Sequence, residues 1–229
     1  MGKKVIQSVA LSKTNPHAKS DGKGVSRSLI HIPIIHTQED MGALGQAVQE
    51  ITIQKLGQEG WERNVILIDK IWDSIEQAIE SWSLPYPKVR LYQDGLPICG
   101  REEEIVTELA KIGSRNHQLL LGLHRKGATI MGTESADLLM KEYKLIKQVL
   151  QMRDPQEAAR LETSQKKATD ALLKQRDQFI AERINSTLYP GETGLLFLGM
   201  LHSVAPFIAT DIDLTQTSHL PSESGNKSQ

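Results

Sequence analysis

Gly194-Leu195-Leu196-Phe197-Leu198-Gly199-Met200-Leu201-His202-Ser203 is the stretch that decides the fold. Four apolar residues between glycines read as a short strand buried on both faces. Gly199 lets the backbone turn, and His202 follows three residues later. A polar side chain just past such a strand lies at the carboxyl edge of a sheet, where open α/β folds keep their ligands. The earlier run Leu29–His36, followed by Thr37-Gln38-Glu39-Asp40, has the same form: a hydrophobic strand ending at a histidine, with carboxylates just beyond. The two strand ends are expected to meet around one polar site.

Working outward, Val89–Tyr92 reads as another strand, ending in the turn sequence Gln93-Asp94-Gly95-Leu96-Pro97. Val65–Ile68 reads as a short buried strand with Asp69 at its end. Met41, Leu44, Val48 and Ile51 step by three and four, which predicts an amphipathic helix over Asp40–Leu56 with Asp40 as its N-cap. Ile71, Trp72, Ile75, Ile79 and Trp82 give a second helix, broken by Ser83–Pro87. Pro33 removes one ladder donor and points to an edge or bulge. Repeated strand–helix units predict an α/β fold with a mostly parallel sheet and helices on both faces.

From Arg101 to Tyr189 the pattern is almost wholly helical, with Gly127–Gly132 a short strand or tight loop. This block is expected as a helical insertion before the last core strand, its long helices at Ser135–Gln151 and Pro155–Thr187. The organisation is then an N-terminal strand (Val5–Leu11) and polar loop over 1–28, and a core over 29–204 with its insertion at about 101–189. A C-terminal extension follows over 205–229, with Ser203–Asp213 packing or capping and His219–Gln229 polar enough to be disordered. No internal repeat is visible.

At 229 residues the chain suits one large domain or one domain with an insertion, and either buries a real core. A net charge of -1 argues against a nucleic-acid or anionic-membrane surface. No apolar run reaches the roughly 18–20 residues of a membrane span. The single cysteine, Cys99, forms no internal disulfide, and with no signal peptide at the start a cytoplasmic protein is expected. Walker, Rossmann, nucleophile-elbow and paired CxxC motifs are all missing.

Arg176 falls in the middle of an apolar stripe formed by Leu172, Leu173, Phe179, Ile180 and Ile184. A guanidinium there needs a carboxylate or a bound anion, unless it snorkels to solvent. His36 and His202 each follow a strand and supply either a base near neutral pH or a metal ligand; hydrogen-bonded structural histidines are the alternative. Asp94 would share their edge. Glu39 and Asp40 are ligands, bases or caps. Glu134 opens a helix, where the dipole favours a carboxylate anyway.

Taken together, His36, Asp94, Arg176 (in Arg176-Asp177-Gln178-Phe179-Ile180-Ala181) and Gly199-Met200-Leu201-His202, in that order, resemble the loose superfamily of erythromycin esterase, the ChaN proteins and the TraB/PrgY–TIKI proteins. The match spans roughly residues 29–204. Its first motif here is His-Thr-Gln-Glu-Asp rather than Gly-x-x-His, and Asp94 stands where glutamate is usual. The resemblance implies a parallel-sheet core, a helical insertion and a polar pocket at the strand ends.

The leading expectation is a hydrolase in which His202 or His36 activates water and Arg176 binds an anionic group or developing negative charge. Asp94 and Asp40 would orient a histidine or ligate a metal. A divalent metal, zinc or manganese, would be held by His36, Asp40 and His202. Its partner is a small-molecule or peptide substrate, in a monomer or an oligomer. The alternatives are a non-catalytic binding or regulatory protein on the same fold, and a structural role for the helical block.

Overall fold

Leu195–Leu198 lies inside strand β4 (Thr193–Gly199), and β4 is the middle of the sheet. The computed structural model describes residues 26–152 and 154–217. Its other strands are β1 (Arg27–Ile34), β2 (Val89–Gln93), β3 (Thr129–Met131) and β5 (Ile212–Gln216), in the order β3-β2-β4-β1-β5. Every pairing is parallel. Leu195, Leu196, Phe197 and Leu198 are all fully buried, as a strand covered on both faces requires.

Among the described residues there are five α-helices: α1 (Gly45–Ser81), α2 (Glu102–Lys111), α3 (Arg115–Arg125), α4 (Ala136–Leu150) and α5 (Pro155–Thr187). Alternation along the strands splits the core in two. Ile32, Ile34, Leu91, Leu195 and Phe197 face α1, α2 and α3 through Trp72, Ile75, Val106 and Leu120. Leu29, Tyr92, Leu196 and Leu198 face Ile180 and Ile184 of α5, and α4 packs against α5. Arg27 clasps one end: its guanidinium donates to Asp211 at 2.9 and 2.7 Å and to the carbonyls of Asn185 and Leu188. Among the described residues no helix is long and apolar enough to cross a membrane.

Several expectations are corrected. Val65–Ile68 is not a strand; it lies within α1, with Val65, Ile66 and Leu67 exposed. No breaker separates it from the helical stripe Ile68, Ile71, Trp72, Ile75 and Ile79, and a four-residue apolar run does not by itself distinguish strand from helix. The helix expected over Asp40–Leu56 starts instead as a 3-10 turn at Glu39–Leu44, with Gln38 rather than Asp40 at the N-cap position. At Gly57 (φ 72, ψ 170) α1 breaks into two arms, in a backbone region that only glycine enters freely.

β4 is not the last core strand, because Ser203–Asp213 leads into a further strand, β5, beside β1. The helical block contributes β3 at the opposite edge. Pro33 sits in an inner strand, past the His31↔Gln216 pair where β5 stops, so its missing donor faces no ladder partner. Val5–Leu11 and His219–Gln229 lie outside the described residues.

Trp72 joins fold to site. It is fully buried, and its indole N–H donates to the carbonyl of Ile35 at 3.3 Å, one residue before His36. Trp72→Ala should destabilise by about 3–5 kcal/mol through the cavity it leaves, read as a lowered midpoint in chemical denaturation. Trp72→Phe should recover most of that loss.

Candidate functional site

β1, β4 and β2 end side by side, with Ile34 paired to Gly199 and Gln93 to Phe197. Asp94 follows β2 directly and turns its carboxylate into this edge, where it is buried. Its Oδ2 accepts the backbone N–H of Gly199 at 2.9 Å and faces His36 Nε2 at 3.1 Å and His202 Nε2 at 3.6 Å. Its Oδ1 accepts from Arg176 Nη2 at 2.8 Å. Gly199 is needed for this close approach. A Cβ there would stand 2.8 Å from Asp94 Oδ2, 3.6 Å from His36 Nε2 and 3.7 Å from His202 Cδ2.

The buried Arg176 of α5 is paired, and it does not snorkel. Its Nε and Nη2 donate to the two oxygens of Glu134 at 3.1 and 2.5 Å, and Nη1 donates to both oxygens of Glu142 at 2.7 and 2.6 Å. With the Asp94 bond, all five guanidinium N–H groups have carboxylate partners. The anion-binding role expected for Arg176 is therefore corrected: no donor is left to serve it. Glu134 is likewise more than a helix-start carboxylate. It is fully buried, in the segment that bridges to Pro97, and Gly95 N also approaches its Oε1 at 3.4 Å.

His202 is held from the far side by Asp177, the next residue of α5. Its Nδ1–H donates to Asp177 Oδ1 at 2.6 Å, and Asp177 Oδ2 accepts from Ser203 N at 3.0 Å. This leaves Nε2 directed at Asp94. His36, His202, Asp94 and Arg176 are thus brought together, as the sequence pattern implied, while Asp177, Glu134 and Glu142 were missed as members. Asp177 had a signal, since 173, 177, 180 and 184 share the stripe of α5. Glu134 and Glu142 carried none beyond ordinary helix-start and surface positions.

Asp40 is corrected as a metal ligand grouped with His36 and His202. Its Oδ2 accepts from Thr37 N at 2.8 Å, and its Oδ1 takes a short bond from the hydroxyl of Ser114, the N-cap of α3. His117 Nδ1 lies 2.6 Å from Ser114 Oγ and 3.4 Å from Asp40 Oδ1. Serine and aspartate meet the same ring nitrogen, so no base stands behind Ser114 as in a nucleophilic triad. The cluster ties down the chain that follows His36.

Among the described residues, one ligand atom each of Asp94, Glu134 and His202 lie within 4.8 Å of one another, a grouping that could hold a metal ion. Two carboxylates and an imidazole fit a divalent ion in kind. Arg176 Nη2 already bonds both carboxylates, so such an ion would share them with a guanidinium.

The electrostatics follow the contacts. Burial alone would push the Asp94 carboxyl up, but the His36 hydrogen bond and the charges of His36, His202 and Arg176 hold it well below the usual range. Burial lowers His36, yet the Asp94 bond and the charges of Asp94 and Asp40 outweigh it, so His36 is raised. Glu134 is raised by burial and by Asp94, against the opposing pull of Arg176. Burial opposes ionisation of Asp40 as well, but its bonds from His117, Ser114 and Thr37 keep it lowered.

A scan against protein-family models finds no match, and neither a search of curated proteins nor one of solved structures returns a match.

Removing Arg176 strands two buried carboxylates, so Arg176→Ala should cost about 3–5 kcal/mol of stability. Arg176→Lys should recover less than half of it, since a point ammonium cannot reproduce the fork. Chemical denaturation of both variants measures this. Acid should act on the same network: the stabilisation from Asp94 and Asp40 is complete above about pH 4 and is lost as pH falls through their lowered native values. Asp40→Asn should flatten that acid limb of the stability curve.

Proposed function

We propose that the protein is a hydrolase in which His36 is the general base. The observation that supports this most directly is the double placement of His36. Its Nε2 is hydrogen-bonded to buried Asp94, while the ring, 32% exposed at its side chain, lines a cavity of about 490 Å³. That volume is within the range of small-molecule sites, roughly 300–1,000 Å³. Of the two histidines, His202 is only 4% exposed at its side chain and cannot meet a substrate without rearrangement.

With Nε2–H donating to Asp94, Nδ1 of His36 keeps its lone pair for a water on the cavity side. Proton transfer to Nδ1 makes an imidazolium whose charge Asp94 compensates, the orienting role of a carboxylate behind a catalytic histidine. Arg176 adds to the His36 and His202 interactions that keep Asp94 ionised, and Asp177 does the same orienting service for His202. Membership of the erythromycin esterase, ChaN and TraB/PrgY–TIKI group is part of the same proposal, supported by the meeting of His36, Asp94, Arg176 and His202. So are a small-molecule or peptide substrate and a reducing cytoplasmic setting, with which the free Cys99 agrees.

A metal-assisted variant is favoured by one observation, the convergence of Asp94, Glu134 and His202. A zinc or manganese ion held by these three would supply a polarised water of lowered pKa. His36, outside that group, would still move the proton.

The test is hydrolysis of a panel of nitrophenyl esters and peptide amides. His36→Ala should lower kcat/KM by roughly 10²–10⁴-fold, the usual worth of a general base. Only neutral His36 is a base, so activity should rise with pH through an apparent pKa above 6.5, and Asp94→Asn should move that limb down. The sign for stability is opposite: the charged-His36 contribution is complete below about pH 6.5 and lost as pH rises through the raised value. Activity removed by a chelator and restored by zinc or manganese would select the metal-assisted variant. Saturable ligand binding without turnover on any substrate would replace the hydrolase with a binding protein.

A further inference from the structure

We infer that the cavity beside His36 is a binding site for an uncharged, largely apolar small molecule that carries one or two hydrogen-bonding groups. This rests on the reading of His36 as the catalytic base, and it adds the class of substrate that base would serve.

The break at Gly57 gives the cavity its walls. It redirects the chain between the arm over 45–56 and the arm over 58–81, and residues of both arms line the one cavity. Val48 comes from the first arm; Trp61, Val65 and Ile68 come from the second, at spacings of four and three. Met41 and His36 close one side. A helix stripe of this composition normally meets a packed layer, and here it borders open space of about 490 Å³. Apolar walls of that extent favour an apolar body, through the area that leaves water on binding.

The charges in the lining select against an ion. Arg115 is the lining cation, and its Nη2 pairs with Asp73 at 2.8 Å and Glu76 at 3.0 Å, while Nη1 donates to the Asp69 carbonyl at 3.0 Å. Both lining groups that can carry positive charge are thus already paired with carboxylates, Arg115 with Asp73 and Glu76 and His36 with Asp94, so an anionic ligand would compete with an existing ion pair. Glu39, the acid not engaged with Arg115, is exposed at the rim, so a cationic ligand would lose its hydration without gaining a buried counter-charge. The remaining polar groups are neutral. Thr52 spends its hydroxyl on the Val48 carbonyl at 2.7 Å. Among the described residues, the side-chain amides of Gln38 and Asn64 hydrogen-bond to no other group, and both line the cavity. They offer a donor and an acceptor to a ligand carbonyl, hydroxyl or amide. A neutral ester or amide with an apolar body places its carbonyl within reach of these amides and its scissile bond toward His36.

The experiment titrates the full chain with N-phenyl-1-naphthylamine, a neutral apolar fluorophore, beside anilinonaphthalene sulfonate as its anionic counterpart and an ammonium-bearing analogue. Saturable one-to-one binding of the neutral probe, at least tenfold tighter than either ion, is expected. Val65→Glu puts a carboxylate into the cavity wall from a position already 38% exposed, and should weaken neutral-probe binding tenfold or more. Ile66→Glu, on the adjacent exposed position outside the lining, should leave it within twofold. Equal loss in both variants, or binding of the anion or cation as tight as that of the neutral probe, overturns the inference. His36→Ala separates it from the catalytic reading. Retained probe binding with no turnover in any form of the protein would leave this site standing and remove the hydrolase. Turnover that is indifferent to Val65→Glu would do the reverse.

Discussion

The contact on which the rest depends is the fork of Arg176 against Asp94 and Glu134. It joins α5, the end of β2 and the segment before α4, and extends through Glu142 to α4 itself. Two carboxylates stand in the low-dielectric edge of the sheet because one planar cation meets both. At 4 Å and an effective dielectric of about 20, opposite unit charges attract by ~4 kcal/mol, against ~1 kcal/mol in water. The burial that makes each carboxylate costly therefore also strengthens its pairing. If Arg176 is lost, Glu134 loses its hydrogen-bonded cation and Asp94 loses one of the charges that hold it low, beside the larger contribution of His36. Packing and chemistry hang on one side chain.

The sheet order explains why these groups meet. β4 lies between β2 and β1, all three run parallel, and their carboxyl ends coincide, so Asp94, Gly199 and His36 arrive at one place from three distant parts of the chain. Gly199 lets β2 and β4 approach until the Asp94 carboxylate sits on its amide. His36 is then pinned from both sides along the chain: Trp72 holds the carbonyl before it, and the Asp40–Ser114–His117 cluster holds the residues after it. That cluster hydrogen-bonds its own polar atoms, which is what makes its burial tolerable. It keeps a half-exposed histidine in fixed relation to a buried aspartate.

Most of this framework was legible where a local pattern had one interpretation. Leu195–Leu198 between glycines, and the runs Leu29–His36 and Val89–Tyr92, each ending in a turn signal, read as buried strands, and Arg176 inside an apolar stripe called for a carboxylate or a bound anion unless it reached solvent. Val65–Ile68 misled because four apolar residues satisfy both periods, and the deciding cue was the unbroken helical stripe beyond it. β5 was missed because Ile212-Asp213-Leu214-Thr215-Gln216 alternates over too short a span to stand out, and its pairing with β1 is non-local. Asp40 illustrates a different failure. Its sequence context suits a cap or a ligand equally, and only the arrival of Ser114 and His117, more than seventy positions later, assigns it.

Counting charge around Asp94 yields a constraint that no single residue shows. Asp94, Glu134, Glu142 and Asp177 bring four carboxyl groups to the cluster, and Arg176 supplies the one permanent cation among them. With every acid ionised and both histidines neutral, the cluster would carry three negative charges in a largely buried volume. Two groups respond in the direction this excess demands: Glu134 is raised by burial and by Asp94, and His36 is raised despite its burial. A divalent cation at Asp94, Glu134 and His202 would answer the same excess in another way. A proton and a metal bound there would therefore compete for the same negative charge, and either would weaken the other. A metal would lower His36 by cancelling the field that raises it, whereas a metal-free cluster keeps His36 a stronger base. The two catalytic readings are thus two ways of balancing a single set of carboxylates, with Arg176 present in both.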